Sequence, residues 1–460
     1  MQSKKILLGS LAAALALSLG VSGCGSSSSS DDTNDVPTDN SGDSSSNKTT
    51  VLRTYATIAE KNYEDALADA LALQSAIDAF VADPTEATFS AAKEAWLLSR
   101  ESYGTTEVFR LSAGPIDAEE GWVLDMYGAP EGQMNAWPLD ENMIDYTIDA
   151  DGNTTSGNII DTAGTFTPNS GEAVDTTSLT KSTLAALNEN GGEANVASGY
   201  HAIEFLLWGQ DQDYDSFYAD TVTNGATTAG ERPLTDFTSA ANADRRKAYL
   251  SAAAELLVED LQTVTDAWQS ESTNCSTGVG CYRAALLGEL SGTDTDKNIA
   301  PDDALKTIFG GMGRFVKSEL ANERMAIAVL LPSEEDEHSC FSDNTHRDIE
   351  TNYRGFVNVI KGEYKGASVG AGFYEYVDAD TKAELDTYIT SIDSRVAAID
   401  AATETEHFDY QIKSGSSNRQ NIVNAKNTMR DLGDAMVDVA ANYGISLSED
   451  DVTDPDETQI

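Results

Sequence analysis

The chain has 460 residues, enough for two or three domains of ordinary size, and 40 % of them are hydrophobic, enough for a real core. Its 77 acids against 29 bases leave a formal net charge of −48. Such a surface repels nucleic acid and anionic membranes, so no nucleic-acid partner is expected, while cations are attracted to it.

Residues 1–24 read as a targeting segment. Lys4 and Lys5 form a basic start, residues 6–21 an apolar core, and Val21-Ser22-Gly23-Cys24 resembles the bacterial lipobox. Cleavage before Cys24 would leave its thiol to carry lipid. Gly25 follows it rather than an aspartate, which favours the outer membrane. The protein is therefore expected in the cell envelope, touching membrane through that anchor alone. Residues 25–50 are Ser, Asp, Asn, Gly and Thr almost throughout and read as a disordered tether.

Helical spacing begins near Val51. Ile58, Ala66, Ala70, Leu73, Ile77 and Phe80 share one face, and Asp83-Pro84 breaks the run. A second helix over 85–110 carries a stripe of Phe89, Ala92, Trp96 and Tyr103 that turns polar at Glu107 and Arg110. Polar groups on an inner stripe mark a site, a buried ion pair or an exposed helix end. Residues 111–177 show little periodicity, and 149–172 read as a loose excursion. Gly199-Tyr200-His201-Ala202-Ile203-Glu204-Phe205-Leu206-Leu207-Trp208-Gly209 follows, the most apolar run outside the signal segment. It predicts a helix buried on most of its surface, with His201 and Glu204 on one face. That pair suits a shared metal ion, or a plain imidazole–carboxylate pair. A helix over 240–268 completes a first bundle, 51–272, on Tyr249, Ala253, Leu256, Leu257, Leu261, Val264 and Trp268.

Cys275 and Cys281 bracket a flexible loop and are expected to be disulfide-bonded in an oxidising compartment; Cys340 is left over. A second bundle is expected over 282–446. Its helix at 301–331 puts Glu319 and Glu323 on the stripe of Ile308, Met312, Phe315, Ala326 and Leu330. His338, Asp343 and His346 lie in the acidic stretch 337–348, just before another helix. His407 reads as plain surface, and the acidic tail 447–460 as disordered.

Six stretches resemble one family, the imelysins: AWLLSRESYGTTEVFR with the GPID that follows, NAWPLD at 135–140, the GxHxxE run around His201, RPLTDF at 232–237, GGMGRFVKSELANERM at 310–325, and 337–348. Together they span roughly 51–445. The resemblance implies an exported all-α protein of two tandem four-helix-bundle-like domains with long loops. The family is provisionally classed among peptidases and linked to iron uptake, so the resemblance makes iron the first choice of metal, with zinc or copper next. On it, His201 and Glu204 are the expected metal ligands. Glu107, Arg110, Asp117, Glu319, Glu323, His338, Asp343 and His346 are the further binding candidates.

The expected function is binding of a metal ion or iron chelate between the domains, with iron-transport components as partners. One alternative is a metallopeptidase. However, a catalytic zinc needs three protein ligands and a general base, His-Glu-x-x-His is absent, and no nucleophile elbow occurs. Another is a surface lipoprotein for a protein or haem-like ligand. If both bundles build one site, the stretch 337–348 faces the His201 helix, and binding weakens as pH falls through roughly 6.

Overall fold

The computed structural model describes residues 41–149, 152–211, 226–270, 275–330, 337–455 and 457. Cys24, the rest of the signal segment and residues 25–40 of the expected tether lie outside them. The described residues are mostly helical, as the spacing predicts. The principal helices are α1 (Ser41–Ala82), α2 (Glu86–Gly104), α3 (Gly199–Trp208), α4 (Ala243–Trp268), α5 (Pro301–Arg314), α6 (Thr345–Lys361), α7 (Ala379–Ala402) and α8 (Arg419–Asp434).

Residues 42–460 form one compact unit, and one apolar core runs through it from Val51 to Val452. Every apolar residue predicted to share a face of α1 is buried. Between α1 and α2, Thr85 is the N-cap: its hydroxyl accepts the Thr88 amide at 3.2 Å while the Thr88 hydroxyl accepts the Thr85 amide at 3.0 Å. α2 stops at Gly104, earlier than predicted, where it crosses α6. A Cβ at Gly104 would lie 2.0 Å from Thr351 Oγ1, and one at Gly355 would lie 2.5 Å from the Thr105 carbonyl oxygen. Two glycines thus set a close helix crossing.

Four expectations of looseness are corrected. The helix α1 begins at Ser41, inside the expected tether, and the Thr49 and Thr50 hydroxyls bond back to the Ser45 and Ser46 carbonyls. The excursion at 149–172 is pinned in its described part. Ile159 and Ile160 are buried, and Arg245 of α4 donates to the carbonyls of Ile159, Ile160, Thr162 and Thr176 at 2.7–3.0 Å. A short antiparallel hairpin pairs Thr165–Phe166 with Val174–Asp175. In the tail, Val452 is fully buried, and Glu457 accepts from Ser318 at 2.5 Å and pairs with Arg430 at 2.7 Å. His407 is half-buried and bonded to Asp343. Low-complexity composition argues for disorder only until a core supplies partners.

Beyond α5 the chain continues as a π-helix, Phe315–Ala326, into Ile327–Leu330. Its wider winding closes bonds five residues apart and rearranges which side chains are neighbours. Glu319 therefore meets Arg324, at 2.8 Å, rather than sharing a face with Glu323.

Cys275 and Cys281 are disulfide-bonded, and Cys340 is a buried free thiol. Thiol titration of the unfolded, lipidated protein is expected to find one free thiol; three would rule the bridge out. Asp260 on α4 is buried with Oδ2 unpartnered, and burial, reinforced by Glu259, pushes its carboxyl up to about 7. A raised folded-state pKa means the contribution to stability is full below the unfolded value near 4 and is lost as pH rises through 7. Asp260→Asn should therefore stabilise the fold by ~2 kcal/mol at pH 8 and by much less at pH 4.5, as read by denaturant melts.

Candidate functional site

The helix α3 carries His201 and is buried over all ten residues. Its first residue must be glycine: Gly199 has φ +81°, and a Cβ there would lie 2.4 Å from the Met134 carbonyl oxygen. Trp96 donates to the Tyr200 carbonyl at 2.9 Å, and Tyr249 donates to the Ala197 carbonyl at 2.6 Å. At the far end the Arg232 amide donates to the Trp208 carbonyl at 2.6 Å, and its guanidinium to the Phe205 carbonyl at 3.3 Å. Asp145 holds that guanidinium at 2.8 Å. A fixed cation beside the last carbonyls suits the negative end of a helix.

Two imidazoles meet at the centre. The rings of His201 and His338 stand edge to face, 4.7 Å between centroids, and Trp137 packs on His201 at 4.8 Å. Each ring is oriented by a carboxylate that also takes a serine hydroxyl. His201 Nδ1 lies 3.0 Å from Glu204 Oε2, while Glu204 Oε1 accepts the Ser342 amide at 2.9 Å and hydroxyl at 2.7 Å. His338 Nδ1 lies 2.9 Å from Asp348 Oδ2, which also accepts the Ser339 hydroxyl at 2.5 Å. His201 Nε2 is buried with no hydrogen-bond partner.

A chain of charges leads away from this pair. Arg100 holds Asp348 Oδ1 at 2.9 Å and Asn135 Oδ1 at 2.5 Å. Asn135 donates to Glu107 at 3.4 Å, and Arg324 donates to Glu107 at 2.5 Å and to Glu319 at 2.8 Å. Arg110 closes the series on Glu107, Glu131 and Glu319 at 3.2–3.3 Å. Both halves of the chain thus contribute to one hydrogen-bonded network.

Burial dominates the electrostatics. It pushes His201 well below its ordinary value, helped by His338 and Arg100. Burial, then Arg324, pushes His338 down to about 4. Burial raises the Glu204 carboxyl to about 8, against the Ser342 hydrogen bonds that lower it. Burial alone would raise Asp348 too, but Arg100 and His338 hold it far below the carboxylate range. Burial thus favours the neutral form of both imidazoles, which runs against the weakening expected as pH falls through roughly 6.

Of the predicted residues, the network gathers His201, Glu204, Glu107, Arg110, Glu319 and His338. Glu204 is placed to orient His201, since both its oxygens are engaged. Asp117 lies near the Arg110 end, where Oδ2 accepts the Leu111 amide at 2.5 Å and burial raises its carboxyl to about 6. Glu323 meets Asn322 at 3.0 Å instead. Asp343 turns to His407. His346 pairs with the Asp343 carbonyl at 3.1 Å and faces Asp400 at 3.6 Å, so it does not join His338. Sequence reasoning passed over Arg100, Asn135, Arg324, Ser339, Ser342 and Asp348. For Arg100 a signal existed: it lies four residues after Trp96 and three before Tyr103, on the buried stripe of α2. Among the described residues no three His, Cys, Asp or Glu side chains form a ready-made metal site.

Fold and site together define a helical protein with a buried two-histidine centre braced by carboxylates and arginines. Residues 59–436 match the family described as Imelysin, and the chain belongs to that family. Among solved structures it is similar to a protein provisionally named iron-regulated protein A precursor from Parabacteroides distasonis. There the TM-score is 0.60 at 16 % identity, covering 87 % of this chain and 95 % of that one. It is also similar to an imelysin-like protein from Psychrobacter arcticus, with TM-score 0.49 at 13 % identity, covering 87 % of this chain and 98 % of that one. No curated protein matches.

Proposed function

We propose that this protein binds a transition-metal ion or an iron complex as cargo through His201 and His338, in envelope iron uptake. The observation that carries the reading is the buried, unpartnered Nε2 of His201, set against the His338 ring. His338 Nδ1 is turned to the Asp348 carboxylate, the arrangement that orients a ligating imidazole and leaves Nε2 for a metal, and a cation at His201 Nε2 would favour the ionised form of Glu204 that does the same for His201. Neutral imidazole is the form that ligates. Two protein nitrogens leave the remaining coordination positions to ligands the cargo brings, as an iron complex would. The name of the Parabacteroides protein, iron-regulated, and the family's link to iron favour iron over zinc or copper. A transport component of the envelope would receive the cargo.

The peptidase alternative is disfavoured by the same geometry. Glu204 and Asp348 are each tied by a serine and an imidazole, so neither is poised to activate water. Metal analysis of protein isolated from the native envelope tests the binding reading: an iron content near one per chain is expected, and metal-free protein that takes up neither ferrous ion nor ferric citrate would sink it. Digestion of azocasein with and without chelator tests the alternative.

The cargo reading places the protein on a lipid anchor at Cys24. No helix of the described residues is long and apolar enough to cross a membrane. Cys24→Ser is expected to move the protein from the membrane to the soluble fraction, measured by fractionation and immunoblot. Retention in the membrane would refute the anchor.

A further inference from the structure

A second set of charged groups lies beside the first and takes no part in it. Asp211, Glu337, Asp343 and Asp409 are all buried, and His407 stands at their edge. They come from distant parts of the chain: the exit of α3, the approach to α6, and the short helix Phe408–Gln411. Asp343 is held in a left-handed backbone conformation, φ +58°, with Oδ2 against His407 Nδ1. Glu337 Oε2 accepts the Thr345 hydroxyl at 3.1 Å. Its other oxygen, Oε1, is buried with no hydrogen-bond partner, and Asp409 Oδ1 is in the same state.

Two buried carboxyl oxygens without a partner in one cluster call for an explanation, because a buried polar group left unpaired is costly. The groups act on one another. After burial itself, Asp409, Asp343 and Asp211 are the charges that raise Glu337, and Asp343 and Asp211 those that raise Asp409. Asp211 also lines a cavity of about 220 Å³ with Glu141 and Asp149.

We propose that this cluster is a second cation site, for a hard divalent ion of the calcium or manganese type, with Glu337 and Asp409 as its principal ligands. Its available donors are carboxylate oxygens, which suit hard cations, whereas the imidazole nitrogens of His201 and His338 suit softer ones. The side chains do not already converge, since no three described groups stand in a metal-holding arrangement. Binding therefore draws the carboxylates together. It would tie the exit of α3 to the segment that carries His338, bracing the first site from behind.

The test uses full-length protein stripped with chelator, titrated with calcium chloride and separately with manganese chloride. The melting temperature is expected to rise by several degrees at millimolar ion. Glu337→Gln and Asp409→Asn are each expected to raise the melting temperature of the stripped protein, by removing a carboxyl whose charged form burial and its acidic neighbours disfavour, and to abolish the ion-induced rise. His201→Ala is expected to keep that rise. No response of the unsubstituted protein to either ion overturns the proposal. So does a response that survives both carboxylate substitutions, or one lost in His201→Ala, which would place the ion at the imidazoles. Should either carboxylate variant fail to fold, calorimetric stoichiometry decides: one calcium or manganese ion bound per chain in both unsubstituted protein and His201→Ala supports the second site, and none in His201→Ala refutes it.

Discussion

His201→Ala is expected to lower affinity for ferrous ion or ferric citrate tenfold or more, and His338→Ala likewise. Stability should fall much less, by about 1–2 kcal/mol, because His201→Ala removes one hydrogen bond on Nδ1 and His338→Ala removes one short bond and a 3.5 Å contact with Arg100. Glu204→Gln should fall between the two histidines and the unsubstituted protein. It keeps an acceptor for Ser342 while weakening the grip on His201 Nδ1. Calorimetric titration and thermal melts on the same preparations separate the effects. Unchanged binding with a large loss of stability would reduce the two imidazoles to packing.

Arg100→Ala should produce the largest loss of stability of any single substitution named here, about 3–5 kcal/mol. The guanidinium is fully buried and holds Asp348 and Asn135 at once, under the rings of Tyr200 and Tyr103. Its removal strands a buried Asp348 and frees His338 to rotate, so cargo binding should fall as well. Arg100→Lys should recover only part of either property, since an ammonium cannot span Asp348 and Asn135 together. Chemical denaturation with linear extrapolation measures the first effect. A loss below about 1 kcal/mol would show that Asp348 finds other partners and that the network is not organised around Arg100.

Much of this was written in local spacing. The buried faces of α1, α2 and α4 follow from apolar residues three and four apart, and α3 from a run apolar all round. His201 and Glu204 were visible as a histidine and a carboxylate on a helix with no aqueous face. The Cys275–Cys281 bridge needed only two cysteines six residues apart and an oxidising compartment.

What tertiary structure alone decided is which charges meet. Asp348 lies ten residues beyond His338 and 248 from Arg100, and no periodicity joins the three. Glu323 was expected on the face of Glu319, but the π-helical winding put Arg324 there instead, because bond spacing and not residue identity sets which side chains are adjacent. Glu204 was expected beside His201 on one helix face, but its second partner, Ser342, arrives from the other half of the chain. Of the two histidines in the acidic stretch, His338 reached the centre and His346 turned to Asp400. Local sequence determines helices through contacts one turn apart. A site made of buried ion pairs depends on partners hundreds of residues away, and only the packed core holds them at bonding distance.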